Sequence, residues 1–196
     1  GELEFAPGIL GNAVVFDGAA NGGDNADANR YVKYGASAQI LPGTGNFAVA
    51  LWFKSTGVSN NGAIISNKNY YSGSNRGITI GAFTSDLRIN FSATGNSRKE
   101  LKNNYTAPKD GNWHHLAVNY DRSGSMTFYL DGASAGSITI SDTPETIDAG
   151  LEFVLGARGN FQNGMTNCLM DELRIYGGVL PVDTIQDLYN EGAGMA

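Results

Sequence analysis

Four groups of residues in this chain have types and spacings that can do chemistry. The first is the segment from Asp17 to Asn29, which carries Asp17, Asp24 and Asp27 with Asn21, Asn25 and Asn29 among glycines. Calcium takes six to eight oxygen ligands from carboxylates, amides and backbone carbonyls, and a Gly-rich loop can wrap them. The segment is not an EF-hand: counting from Asp24, the bidentate glutamate would fall at Gly35. The second group is Asp171-Glu172. Simple alternation puts Asp171 on the side of Leu169, Leu173 and Ile175, pointing toward a core. A carboxylate there is costly unless it is paired or bound to a cation.

The third group is a pair of polar loops. Asn67-Lys68-Asn69-Tyr70-Tyr71-Ser72-Gly73-Ser74-Asn75-Arg76 sets two adjacent aromatics among amides and cations, and Arg158-Gly159-Asn160-Phe161-Gln162-Asn163 is similar. Sugars need stacking rings and groups that hydrogen-bond hydroxyls. Tyr combines an apolar face with a polar handle, and Arg and Asn supply donors and acceptors. Asn67, Lys68, Tyr70, Tyr71, Arg76, Arg158, Asn160 and Phe161 are therefore the candidate ligand-binding residues. The competing reading is that each loop's aromatic anchors it against the rim. Arg88 and Asn90 alternate with Leu87, Ile89 and Phe91, so they line one sheet face, bordering either a groove or water.

The fourth group, His114-His115, does not read as catalytic. Neighbours on a strand point to opposite faces and cannot easily share one metal or one proton path. A retaining glycosidase needs two carboxyls about 5–5.5 Å apart, and Asp171 and Glu172, being adjacent, face opposite ways. There is no Gly-x-Ser-x-Gly, no His-Glu-x-x-His and no phosphate-binding Gly-rich signature. The single cysteine, Cys168, excludes an internal disulfide and Cys-based zinc sites, and reads as a small buried hydrophobe. No catalytic residue is expected.

The elements that must position these groups are strands. Asp110 to Gly132 reads DGNWHHLAVNYDRSGSMTFYLDG. Leu116, Val118 and Tyr120 share one face, Met126, Phe128 and Leu130 share another, and Asp121-Arg122-Ser123-Gly124 is turn chemistry between them. Further short runs are Ala13–Phe16, Arg30–Tyr34, Phe47–Lys54, Ala63–Asn67, Gly77–Phe83, Leu87–Ala93, Ser134–Ile140, Leu151–Gly156 and Leu169–Tyr176, with Lys99–Tyr105 weaker. Many short strands at near-regular spacing mean a sandwich or barrel. Phe47, Val49, Leu51 and Phe53 are apolar, as nearly are Ala48, Ala50 and Trp52, so this strand belongs in the middle of a sheet, covered on each side or along a concave face. One short helix ends the pattern: Val182, Ile185, Leu188 and Tyr189 share a face, Pro181 suits its first turn, and Gly192 closes it. The 196 residues fit one all-β domain, residues 1–196. The net charge of −6 argues against a nucleic-acid partner. No apolar run approaches the about 20 residues of a membrane span, so membrane insertion is not expected.

The same residues resemble the laminin-G-like, concanavalin A-like lectin domains. The resemblance rests on Trp113-His114-His115-Leu116-Ala117-Val118 followed by Tyr129-Leu130-Asp131-Gly132. Val15-Phe16-Asp17-Gly18 resembles the opening, Leu155-Gly156-Ala157-Arg158 a strand end, and Met170-Asp171-Glu172-Leu173-Arg174-Ile175-Tyr176 with its helix the closing signature. Pro181 where the family usually has Ser, and the long link Ala19 to Asn29, depart from the pattern. The resemblance implies a two-sheet antiparallel jelly-roll sandwich with a short C-terminal helix and neighbouring first and last strands. If they are neighbours here, Asp17 and Asp171 can meet at one sheet end and, with Asp27 and Asn29, hold a structural calcium ion. The alternative is that Asp17 caps a turn and Asp171 accepts backbone N–H groups or pairs with an arginine. The implied role is a non-catalytic, glycan- or polysaccharide-binding module of a secreted or cell-surface bacterial protein. A protein-binding or adhesion module is the alternative.

Overall fold

The alternating run at residues 113–139 folds as read, into an antiparallel meander. In the computed structural model, which describes residues 3–16, 30–57, 62–69, 75–82, 86–93, 98–102 and 106–193, the strands are β1 (Glu4–Pro7), β2 (Asn12–Phe16), β3 (Val32–Ala36), β4 (Phe47–Ser55), β5 (Gly62–Ser66), β6 (Gly77–Ala82), β7 (Leu87–Ser92), β8 (Lys99–Leu101), β9 (Trp113–Tyr120), β10 (Ser125–Leu130), β11 (Ala133–Thr139), β12 (Glu152–Leu155) and β13 (Cys168–Tyr176). A one-turn helix, α1 (Ser37–Ile40), follows β3, and α2 (Val182–Ala193) follows β13. Seven strands form one sheet in the order β1-β2-β13-β4-β9-β10-β11, and six form the other in the order β3-β12-β5-β6-β7-β8. Every pairing is antiparallel. This is the expected all-β jelly-roll sandwich.

The core lies between the sheets. Phe47, Val49, Leu51 and Phe53 of β4 meet Ile64, Ile65, Ile78, Ile80, Ile89 and Phe91 from the opposite sheet, all fully buried. Burying each such side chain contributes about 1.5–3 kcal/mol. Cys168 is buried in the same core, and burial pushes its thiol far above its usual range, as suits an inert small hydrophobe.

The other face of β4 is covered by α2. Ile185, fully buried, packs with Ala50, Ala117 and Tyr129, and Tyr176, Leu180 and Leu188 close around them. The Trp52 ring lies 5.9 Å from Tyr189. Pro181 precedes the helix, and its carbonyl accepts the Ile185 N–H at 3.1 Å. Gly192 does not end the helix as its composition suggested; it lies within α2, pressed onto Trp52, where a Cβ would collide with the indole ring. β1 was not expected from sequence, because its four residues carry no clear alternation.

Candidate ligand site at the sandwich rim

The two polar loops converge. Gly159 N–H donates to the Lys68 carbonyl at 3.3 Å, and a Cβ on Gly159 would sit 2.7 Å from the Asn67 carbonyl carbon and 2.9 Å from Lys68 N. Only glycine allows the two backbones so close. Arg158 Nη1 donates to Asn69 Oδ1 at 3.5 Å. A third segment, between β11 and β12, completes the rim. Asn67 Nδ2 donates to the Ile147 carbonyl at 3.2 Å, and Asn67 Oδ1 accepts the Ile78 N–H at 2.7 Å. Arg122, 7% exposed, donates to the carbonyls of Gly43, Thr143 and Glu145 and lies over the Phe91 ring. The buried Ile147 anchors the same stretch. Asp148 is thereby fixed, with Oδ1 accepting Ser37 Oγ at 2.9 Å and the Gly150 N–H at 3.0 Å.

The result is an open pocket of about 480 Å³ lined by Asn69, Asn75, Arg76, Asp148, Ala149, Leu151 and Asn160. Three amides, a guanidinium and a carboxylate offer both donors and acceptors. Such a surface suits a hydroxyl-rich ligand better than an apolar one.

The expected ligand residues divide. Arg76 and Asn160 line the pocket. Asn67, Lys68 and Arg158 are fully buried, which corrects the expectation that they face a ligand: they brace the rim from beneath. Lys68 Nζ donates to Asn90 Oδ1 at 2.7 Å, so Asn90 faces a buried lysine and not open water. Burial, with Arg98 nearby, pulls the Lys68 amine down to about 8, partly offset by Glu100. Phe161 stacks on Tyr31 at 4.8 Å, which is the anchoring alternative. Tyr70 and Tyr71 lie outside the described residues. Asp148 was missed in the sequence. Its signal was a buried apolar anchor followed by an Asp-x-Gly turn, Ile147-Asp148-Ala149-Gly150, which is common turn chemistry and not specific.

The expected metal residues also divide. β2 and β13 are neighbours, as the resemblance implied, with Phe16 opposite Cys168 and Val14 opposite Met170. Asp171 therefore lies three residues, about 10 Å, further along β13 than the partner of Phe16, on the side of the β1–β2 turn. Asp171 Oδ2 accepts the N–H groups of Ile9 (2.7 Å) and Leu10 (3.1 Å), and Oδ1 accepts its neighbour Glu172 N–H at 2.9 Å. The N–H acceptor alternative describes it. Alternation also fails here. A bulge between Asp171 and Arg174, with Glu172 at φ 50°, switches faces. Met170, Leu173 and Ile175 thus face the core and Asp171 does not. Asp17, Asp27 and Asn29 lie outside the described residues, and among the described residues no cluster of three or more His, Cys, Asp or Glu could hold a metal ion.

A smaller cavity of about 130 Å³ lies beneath α2, lined by residues that include Leu10, Ala50, Trp52, His115, Arg174 and Leu188. His115, 2% exposed, packs on Trp52 at 5.2 Å, and its Nδ1 has no partner among the described residues. Burial lowers its pKa to about 4, reinforced by Arg174 and opposed by Asp131. His114 points the other way, with Nδ1 2.8 Å from Asp131 and Nε2 3.2 Å from Asp110. The two rings are separated as the strand geometry required.

A family model described as the concanavalin A-like lectin/glucanases superfamily matches residues 25–186. No curated protein sequence matches the chain significantly. Among solved structures, domain 4 of AbnA, a GH43 extracellular arabinanase from Geobacillus stearothermophilus, in complex with arabinotriose, is similar with a TM-score of 0.71 and 22% identity, covering 96% of this chain and 82% of that one. The binding domain of Paraclostridial Mosquitocidal Protein 1 is similar with a TM-score of 0.71 and 14% identity over 96% of this chain. That of botulinum neurotoxin DC, in complex with rat synaptotagmin II, has a TM-score of 0.65 and 13% identity over 98%. The chain spans 45% of the length of each of these two toxin domains. At such identities the likeness is one of fold.

Proposed function

The chain belongs to the concanavalin A-like lectin/glucanase superfamily, and on that premise we propose that it is a non-catalytic carbohydrate-binding module of a secreted or cell-surface protein. It recognises a glycan or polysaccharide through the rim loops. The observation that carries this reading is the convergence of three loop segments on one open pocket lined by Asn69, Asn75, Arg76, Asp148 and Asn160. The arabinotriose complex of the AbnA domain supports a sugar ligand on this scaffold. Among the described residues the pocket lining contains one carboxylate, Asp148, whereas glycoside hydrolysis ordinarily uses two. The test is a broad glycan and polysaccharide array with the wild-type domain and Asn69→Ala. Binding of one glycan class, lost in a folded variant, is expected; silence of the folded wild type sinks the reading.

A structural calcium ion remains part of the proposal only for the segment 17–29, through Asp17, Asp27 and Asn29. Calcium is expected to raise Tm in the wild type and not in Asp17→Ala. Asp171→Ala should cost about 1–3 kcal/mol of stability for its stranded N–H groups, lowering Tm with and without calcium, while keeping the calcium response. A lost response in Asp171→Ala would return that residue to the metal site.

The protein-binding reading draws on Phe5, 60% exposed on edge strand β1, and on the synaptotagmin complex of the toxin domain. An array-silent domain that loses affinity for a protein ligand in Phe5→Ser would establish it.

A further inference from the structure

The rim pocket holds opposite charges that do not pair. Arg76 and Asp148 line it together, yet no ion pair or hydrogen bond joins them. Arg76 is exposed and has no hydrogen-bonding or ionic partner among the described residues. Asp148 spends only Oδ1, on Ser37 and Gly150, and Oδ2 is left over. Each charged group thus has an open valence facing the same space. Among the described residues the other polar lining is the amides of Asn69, Asn75 and Asn160, which both donate and accept.

Resting on the glycan reading, we infer that this pocket selects neutral, hydroxyl-dense sugars over acidic ones. A pair of adjacent hydroxyls satisfies both charges: one donates to Asp148 Oδ2 and another accepts from the Arg76 guanidinium. A uronate would meet Arg76 favourably but bring a second carboxylate toward Asp148. Like charges a few ångströms apart in a partly shielded site repel. Asp148 is therefore the residue that excludes acidic glycans, and Arg76 the donor that neutral and acidic sugars share. A site built for carboxylates would gather cations without an opposing acid.

The test compares wild type, Asp148→Asn and Arg76→Gln by calorimetry. The probes are neutral arabino-, xylo- and galacto-oligosaccharides and galacturonate and glucuronate oligomers of matched length. Asp148→Asn keeps Oδ1 as an acceptor for Ser37 and Gly150, so the loop is expected to hold, and Tm checks it. If that variant does not fold, the exposed Arg76→Gln carries the test. Wild type is expected to favour a neutral class at least 10-fold. Asp148→Asn should narrow that gap about 10-fold, mainly through tighter uronate binding, and Arg76→Gln should weaken neutral and acidic binding alike. Uronate binding equal to or tighter than neutral binding in wild type, lost in Arg76→Gln, overturns the inference and leaves the glycan reading standing. Binding of zwitterionic amino acids in place of sugars overturns both. So does silence toward every oligosaccharide.

Discussion

The outer face of β4 and the rim above β5 and β6 are built on opposite terms. Beneath α2, Trp52, Ile185, Leu188 and Tyr189 make a largely apolar face, in which the buried His115 is held neutral. At the rim, buried polar groups are spent inside the protein, Asn67 on the backbone of Ile147 and Ile78, Lys68 on Asn90 and Arg158 on Asn69, and an open pocket with a polar lining lies above them. The difference separates where this molecule stores stability from where it can bind. On the packed face the buried side-chain atom left without a partner among the described residues is His115 Nδ1. The rim keeps some open hydrogen-bond valence, at the Arg76 guanidinium and Asp148 Oδ2, even though Asn75, Asn160 and Asn69 each make one bond within the loops.

The sharpest way to break that comparison is Trp52→Ala. Removing a buried tryptophan between β4 and α2 should cost about 3–5 kcal/mol of stability, read by chemical denaturation, with glycan affinity of the folded fraction unchanged. A loss of affinity equal to the loss of stability would mean the helix face and the rim are one cooperative site.

The next largest effect is acid sensitivity. His115 has a folded pKa near 4 and an ordinary value of 6.5. Between these values the unfolded chain binds the extra proton, so stability falls as pH drops, by on the order of 3 kcal/mol across the window. His115→Leu should lack this component, and the difference between the two denaturation curves isolates it from carboxylate titration. Equal slopes would mean that water or a bound molecule in the cavity already satisfies the ring.

At the rim, Arg76→Ala should do the reverse of Trp52→Ala. Stability should stay within about 0.5 kcal/mol, as for an exposed residue without structural partners. Binding of the array-identified glycan should weaken by about 1.5–3 kcal/mol, the range for a hydrogen bond to a charged group. A fall in Tm with unchanged affinity would make Arg76 a strut and move the ligand elsewhere.

The two regions were not equally legible in sequence. The closed face announces itself: both faces of β4 are apolar, and Ile185, Leu188 and Tyr189 repeat at helical spacing, so a helix over a sheet follows from periodicity alone. The bulge at Asp171–Arg174 hid Asp171's true side, because alternation counts residues and a bulge inserts one. The rim was visible only as composition. Asn67, Lys68 and Arg158 looked like surface because long polar side chains usually are. Their burial depends on the close approach at Gly159, a tertiary event no local pattern encodes. Asp148 was invisible for a related reason: it reaches the pocket because Arg122, in the β9–β10 turn, and Asn67, just after β5, hold its loop from elsewhere in the chain.

The smallest effect concerns the other histidine, and its sign makes it useful. Burial alone would lower the His114 pKa, but its contacts with Asp131 and Asp110 outweigh that and raise it above 6.5. A raised folded pKa means the folded state holds the proton more tightly. The contribution to stability is therefore full below pH 6.5 and fades as pH rises through the folded value. The pair is partly exposed and screened, so the step should be well below that of His115. His114 and His115 are consecutive residues on β9, yet one stabilises on acidification and the other destabilises, because one faces two carboxylates and the other faces Trp52 beneath α2. Titration of both rings by NMR should give one pKa above 6.5 and one near 4. Asp131→Asn should lower the first; it should also lower the second, more weakly, because Asp131 supports both charges. If the two rings instead titrated together, β9 would not be separating two environments, and the division between a sealed helix face and the solvated surface would fail at its most direct point of measurement.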